Sequence, residues 1–158
     1  MLSYRDSPPG GQSGIIALAA PLTTVLLVDD DAGFREIARQ SLTEDGYAVT
    51  EAADGEQALE LLSVMVDARL PLPEVLVLDF VMPRLSGLGV LQALRRVPRL
   101  PPALLLTSFL DSSVDVFARK LGVARVLRKP IDAEDLCAAV GEIAAQPTPA
   151  KLGRARAI

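Results

Sequence analysis

The sequence predicts an α/β protein in which a five-stranded parallel sheet is flanked by five helices. Three observations predict it. Short runs that are apolar at every position, Val25-Leu26-Leu27-Val28, Val75-Leu76-Val77-Leu78 and Ala103-Leu104-Leu105-Leu106, alternate with amphipathic stretches. Such runs must be covered on both faces, which is the pattern of a parallel sheet between helical layers. The intervening stretches supply the covers: Ala58, Leu61, Leu62 and Met65 share one helical face, as do Leu88, Leu91 and Leu94, and Leu136, Val140 and Ile143.

Taken in order, a strand over 24–28 precedes a helix over 32–45 that Gly46 is placed to end. A strand over 47–51 and a helix over 55–66 follow. Pro71 and Pro73 then break any helical continuation, so 67–74 reads as a loop. The third strand covers 75–78, and its helix, over 87–96, is opened by Ser86. The fourth strand covers 103–106, and a helix over 112–121 has Ser112 as a candidate cap, Asp111 before it as a cap or turn residue and no ligand, and Gly122 as its stop. A last strand over 124–128 leads to a helix over 132–145 capped by Asp132. No internal repeat is visible.

The 158 residues, half of them hydrophobic, suit one packed domain, expected over 23–145. Residues 1–22 read as a flexible N-terminal extension. Their apolar run Ile15 to Leu22 is short, is interrupted by Pro21 and follows a segment containing Asp6, which disfavours a signal peptide. Residues 146–158, with Pro147, Pro149, Lys151, Arg154 and Arg156, read as a disordered tail, and no output domain is visible after Ala145. No run approaches the roughly 20 apolar residues that span a membrane, so a soluble, cytoplasmic protein is expected.

Sixteen basic and twenty acidic residues give a net charge of −4, which offers no global attraction to nucleic acid or anionic lipid. The basic tail is sparse and no helix-turn-helix follows it, so no direct nucleic-acid or membrane contact is expected. Histidine is absent, which removes imidazole triads, the usual zinc ligands and any phosphohistidine on this chain. The one cysteine, Cys137, sits in a helical pattern beside Leu136 and Val140 and reads as packing.

In an open parallel sheet, functional groups gather outside the carboxyl ends of the strands. Asp29 and Asp30 follow the first strand, Asp79 the third, Thr107 and Ser108 the fourth, and Lys129 the fifth. Three carboxylates in one mouth repel one another unless a cation neutralises them. Mg²⁺, or Mn²⁺ in its place, suits such hard oxygen ligands and leaves room for a phosphate oxygen. Lysine and hydroxyl groups beside it suit a phosphoryl group, so the pocket has the parts for phosphoryl transfer. Asp79 stands alone at its strand end and is the expected nucleophile, whereas adjacent Asp29 and Asp30 are better placed to hold metal.

These residues resemble the receiver domain of bacterial two-component response regulators over roughly Thr24 to Ala145. The resemblance is carried by Val25 to Asp31, Ala53-Asp54-Gly55-Glu56-Gln57-Ala58-Leu59, Leu78 to Gly87 around Asp79-Phe80-Val81-Met82-Pro83, Leu106-Thr107-Ser108 and Arg128-Lys129-Pro130, all five in order. It implies a flavodoxin-like three-layer α/β/α fold with strand order 2-1-3-4-5. It further implies that Asp79 accepts phosphate from a sensor histidine kinase or histidine phosphotransfer protein. Asp29, Asp30, Asp79 and the Val81 main-chain carbonyl would surround Mg²⁺, and Thr107 and Lys129 would contact the phosphoryl oxygens. A cis Lys129–Pro130 peptide is implied too, and Asp31 is left to cap the first helix.

Two positions depart from the usual pattern of that family. Val126 stands where receivers usually carry an aromatic switch residue, so readout would run through Thr107 and the following loop with Phe109. It would emerge on the surface of the fourth helix, fifth strand and fifth helix, which is also the expected dimer face. Val81 and Phe109, two residues after Asp79 and Thr107, are apolar where receivers often place polar groups that orient water, which predicts slow loss of phosphate. The resemblance therefore implies a stand-alone phospho-receiver that is no enzyme toward other substrates and signals through an unknown downstream protein or a phosphorelay. The alternatives are a receiver-like binding module that works without phosphorylation and an aspartate-nucleophile phosphatase. Val81, where such phosphatases carry a second acid, argues against the latter.

Overall fold

Five strand-then-helix repeats build the chain in the computed structural model, which describes residues 22–146. The expected N-terminal extension and C-terminal tail lie outside the described residues but for their innermost positions. The strands are β1 (Thr24–Val28), β2 (Ala48–Ala52), β3 (Val75–Asp79), β4 (Ala103–Thr107) and β5 (Val123–Arg128). The helices are α1 (Ala32–Glu44), α2 (Gly55–Asp67), α3 (Gly87–Ala93), α4 (Ser112–Lys120) and α5 (Ala133–Ala145). All strand pairs are parallel, in the order β2-β1-β3-β4-β5.

Successive strand residues point to opposite faces, so the fully apolar strands feed two cores at once. Leu26, Val28, Leu76, Leu78 and Leu105 face Leu62 of α2, Leu91 of α3 and Ala118 of α4. Val25, Leu27, Val75, Val77, Leu104 and Leu106 face Leu42 of α1 and Leu136, Val140 and Ile143 of α5. β3 and β4 are buried along their whole length, whereas β2 and β5, at the sheet edges, are only partly covered. Cys137 packs against the α1/α5 core, as expected. No helix among the described residues is long and apolar enough to cross a membrane.

Helix ends follow local chemistry. Asp31, Asp54, Ser86 and Asp132 cap α1, α2, α3 and α5 by accepting backbone N–H groups. For α4 the structure decides between the two neighbours: Asp111 is the cap, accepting the Ser113 N–H, and Ser112 is already helical. A carboxylate at that position also meets the positive end of the helix dipole, which favours it over the neighbouring hydroxyl. Gly46 and Gly122 end α1 and α4 with φ of 95° and 79°, a conformation that costs glycine little. The helix expected over 87–96 is α only to Ala93; Leu94–Arg96 tighten to a 3₁₀ turn. Pro98 explains the change, because it forces Val97 into the extended region (ψ 119°) and stops the helix before it.

Candidate functional site

The parallel order brings the carboxyl ends of β1, β3, β4 and β5 to one edge, and the sequence-predicted residues meet there. Asp29 leaves β1 fully buried, with its main chain pinned by an N–H to the Ala52 carbonyl (3.3 Å) and by Arg35 Nη1 on its own carbonyl (2.8 Å). One of its carboxylate oxygens accepts the Asp31 N–H (2.9 Å) and the other accepts from Lys129 Nζ (2.6 Å). Asp79 ends β3 with 7% of its surface exposed, 3.3 Å from the same ammonium. Asp30 is exposed, and Asp29, Asp30 and Asp79 each offer one carboxylate oxygen lying within 4.8 Å of the others.

That donor set fits a hard divalent cation: three carboxylate oxygens converge from two strand ends, one of them open to solvent. Electrostatics point the same way. Burial, reinforced by the neighbouring Asp29 charge, pushes the Asp79 carboxyl up to about 6, and Lys129 only partly opposes this. For Lys129, burial works against the charged form, but its hydrogen bond to Asp29 and the fields of Asp29 and Asp79 outweigh burial and raise its pKa.

Thr107 ends β4 fully buried, one residue beyond the Asp79–Leu106 register pair. Its hydroxyl accepts the Phe109 N–H (3.0 Å) and its carbonyl accepts the Lys129 N–H (2.7 Å), so the β4–α4 loop and the end of β5 are both tied to it. Ser108 beside it is exposed. Val81 lies in the loop between β3 and α3 with its side chain half exposed. Gly87 allows that loop to fold tightly under the site, because a Cβ there would lie 2.4 Å from the Asp79 carbonyl oxygen. At the outer end of the loop Arg84 holds a left-handed φ of 68°, tied to Asp54 (2.5 Å) and Glu56 (2.9 Å) at the start of α2. The Lys129–Pro130 peptide is cis.

Three contributors were not legible in the sequence. The Phe34 ring, on the first turn of α1, lies 4.5 Å from Lys129 Nζ. Arg35 anchors Asp29 and reaches Glu51 (3.2 Å). Arg128 donates to the Phe109 carbonyl and to Asp115 of α4 (2.8 Å), and the Phe109 ring meets Phe80 edge-on at 5.7 Å. Hydrophobic period explains the placing of Phe34 in α1, but nothing in the sequence marks the lysine 95 positions later as its neighbour.

A family model described as the response regulator receiver domain matches residues 25–141. The chain is 38% identical over 125 residues to "Response regulator MprA" of Mycolicibacterium vanbaalenii, a match covering 79% of this chain and 52% of that protein. It is 36% identical over 112 residues to "Probable transcriptional regulator ycf27" of Guillardia theta, covering 71% and 41%. The chain thus spans about half the length of these curated relatives. Among solved structures, the signal receiver domain of the putative response regulator NarL from Mycobacterium tuberculosis has a TM-score of 0.69 at 28% identity and covers 81% of this chain and 100% of that one. The Francisella response regulator 1452 receiver domain has a TM-score of 0.69 at 27% identity, covering 77% and 96%.

Proposed function

The chain belongs to the response regulator receiver domain family of two-component signalling, and from that premise we propose that Asp79 accepts a phosphoryl group from a sensor histidine kinase or histidine phosphotransfer protein. One observation carries the reading: Asp29, Asp30 and Asp79 converge within 4.8 Å, with the ammonium of Lys129 against two of them. Receiver domains are signalling modules, and their chemistry is confined to their own phosphorylation and dephosphorylation. The proposal puts the chain in the cytoplasm with its phosphodonor.

In the proposed reaction an ionised Asp79 oxygen attacks the phosphorus of a phosphohistidine. A new P–O bond forms as the P–N bond breaks, and the electron pair leaves on the imidazole nitrogen, which takes up a proton. Asp29, Asp30, Asp79 and the Val81 carbonyl would hold Mg²⁺ or Mn²⁺, which when bound would neutralise the charge gathered on carboxylate and phosphoryl oxygens. Lys129, already against Asp79, pairs with a phosphoryl oxygen, and the Thr107 hydroxyl turns from the Phe109 N–H toward another.

With Val126 unable to swing a ring, that turn of Thr107 is the proposed route of readout. It moves Phe109, whose carbonyl Arg128 ties to β5 and whose following loop leads into α4. The proposed destination is the surface of α4, β5 and α5, where Val116 is exposed and a downstream protein or a second copy would dock. Direct DNA contact is no part of this proposal for residues 25–141. The ycf27 relative, named as a transcriptional regulator, extends well beyond the matched length.

The test is labelling by acetyl phosphate. Incorporation that needs Mg²⁺ and is lost in Asp79→Asn is the expected result; a chain that takes up no phosphate at Asp79 overturns the reading. Val126 favours a second reading, a receiver-like binding module independent of phosphorylation, and that unlabelled outcome is the one it requires.

A further inference from the structure

We propose that Phe34 is a positioning residue for Lys129, its ring holding the ammonium at the phosphoryl-accepting carboxylate through a cation–π contact. The inference rests on the reading of Asp79 as phosphoryl acceptor and extends it to a residue of α1 that no motif marks.

Geometry carries the argument. Lys129 Nζ is 2.6 Å from Asp29 Oδ2, 3.3 Å from Asp79 Oδ1 and 4.5 Å from the centre of the Phe34 ring. An ammonium has three N–H donors; one is hydrogen-bonded to Asp29, Asp79 lies within ion-pair distance, and the ring face takes up no strong donor. The ring approaches within the range where its quadrupole attracts a cation, and the lysine side chain is only 19% exposed, so the attraction is weakly screened. Phe34 cannot drift, because its N–H is fixed by the Asp31 cap (3.0 Å) and its side chain packs against the α1/α5 core.

The chemistry suits the task. A carboxylate or amide in place of the ring would take a donor from the ammonium and compete with an arriving phosphoryl oxygen. A phenyl face attracts the charge without taking up a strong hydrogen bond, so Lys129 is held near Asp79 yet keeps donors to offer. Without the ring, nothing but the carboxylates of Asp29 and Asp79 holds the ammonium against the pull of the solvent when a phosphoryl group arrives.

Beryllofluoride with Mg²⁺, titrated calorimetrically, is the phosphoryl probe. Phe34→Leu weakens its binding about three- to tenfold, and Phe34→Tyr, which keeps the π face, binds like wild type. A urea-denaturation cycle on Phe34→Leu and Lys129→Ala separates positioning from general packing. A coupling of about threefold in the folding equilibrium is expected, the leucine substitution costing less once the lysine is gone. Unchanged beryllofluoride affinity in Phe34→Leu, or equal costs with and without Lys129, overturns the proposal. Should the leucine variant not fold, Phe34→Met, which fills the space without a ring, is read the same way. If wild type binds no beryllofluoride, the phosphoryl reading itself fails, while the coupling between ring and lysine is still decided by the urea cycle.

Discussion

Burial beside Asp29 keeps the Asp79 carboxyl protonated to a higher pH than a free aspartate, up to about 6, against 3.8 for the unperturbed group. Because the folded-state pKa lies above the unfolded one, the native state binds this proton more tightly. The associated stability is fully present below the unfolded value and is lost as pH rises through about 6. Well above that pH the metal-free protein carries an ionised Asp79 that costs on the order of 3 kcal/mol, part of which is already incurred at about pH 4. Asp79→Asn is therefore expected to gain stability over wild type between about pH 4 and about pH 8 in EDTA, with the gap widening by about 2 kcal/mol. Urea midpoints at the two pH values measure it, and a gap independent of pH contradicts the assignment. Asp79 was legible because a lone carboxylate that closes a fully apolar strand must face the crevice outside the sheet, where charge is tolerated. The partnership of Lys129 with Asp29 was not, since it joins positions 100 residues apart and depends on the side chains' final directions.

At the scale of elements, β1, β3 and β4 were readable from their unbroken apolar runs, and α2 and α5 from the apolar stripe each lays on the sheet. What the pattern left open were choices between neighbours of similar chemistry: Asp111 or Ser112 as the α4 cap, and an α or a 3₁₀ last turn before Pro98. Those ends are fixed by single hydrogen bonds and dihedrals, to which periodicity is blind. The β3–α3 loop is the element on which the site leans most closely. Gly87→Ala would press a methyl onto the Asp79 carbonyl at 2.4 Å. We expect a loss of about 1–3 kcal/mol in urea denaturation together with weakened Mg²⁺ binding; a variant as stable as wild type would show that the loop yields freely. The same loop and the β4–α4 loop carry Val81 and Phe109, each about half exposed. Neither can orient a water for attack on an aspartyl phosphate, so dephosphorylation is expected to take minutes or longer. Val81→Asn and Phe109→Glu should shorten the phosphoryl lifetime several-fold. A lifetime of seconds that neither change alters would refute this role for the two apolar side chains.

For the molecule as a whole, the site exists only because the sheet is parallel. Each crossover returns the chain so that β1, β3, β4 and β5 all finish at one edge, which assembles carboxylates and an ammonium drawn from positions 29 to 129. An unfolded chain holds Asp29–Asp30 and Asp79 about fifty residues apart and presents no such constellation. A cation bound by this constellation would link binding to folding, since an ion that binds only the native arrangement stabilises it by mass action. At about ten times its dissociation constant, Mg²⁺ should add about 1.4 kcal/mol to the unfolding free energy of wild type. Asp30→Asn removes the exposed member of the triad and leaves the buried Asp29–Lys129 pair in place, so it should keep the fold and lose this increment. The comparison is made at neutral pH, where wild type also carries the charge repulsion between Asp29 and Asp79 that a cation relieves. Thermal or urea unfolding of both proteins with Mg²⁺ or EDTA decides the matter. An equal Mg²⁺ increment in wild type and Asp30→Asn would mean that the ion binds elsewhere and that the three carboxylates do not act as one site.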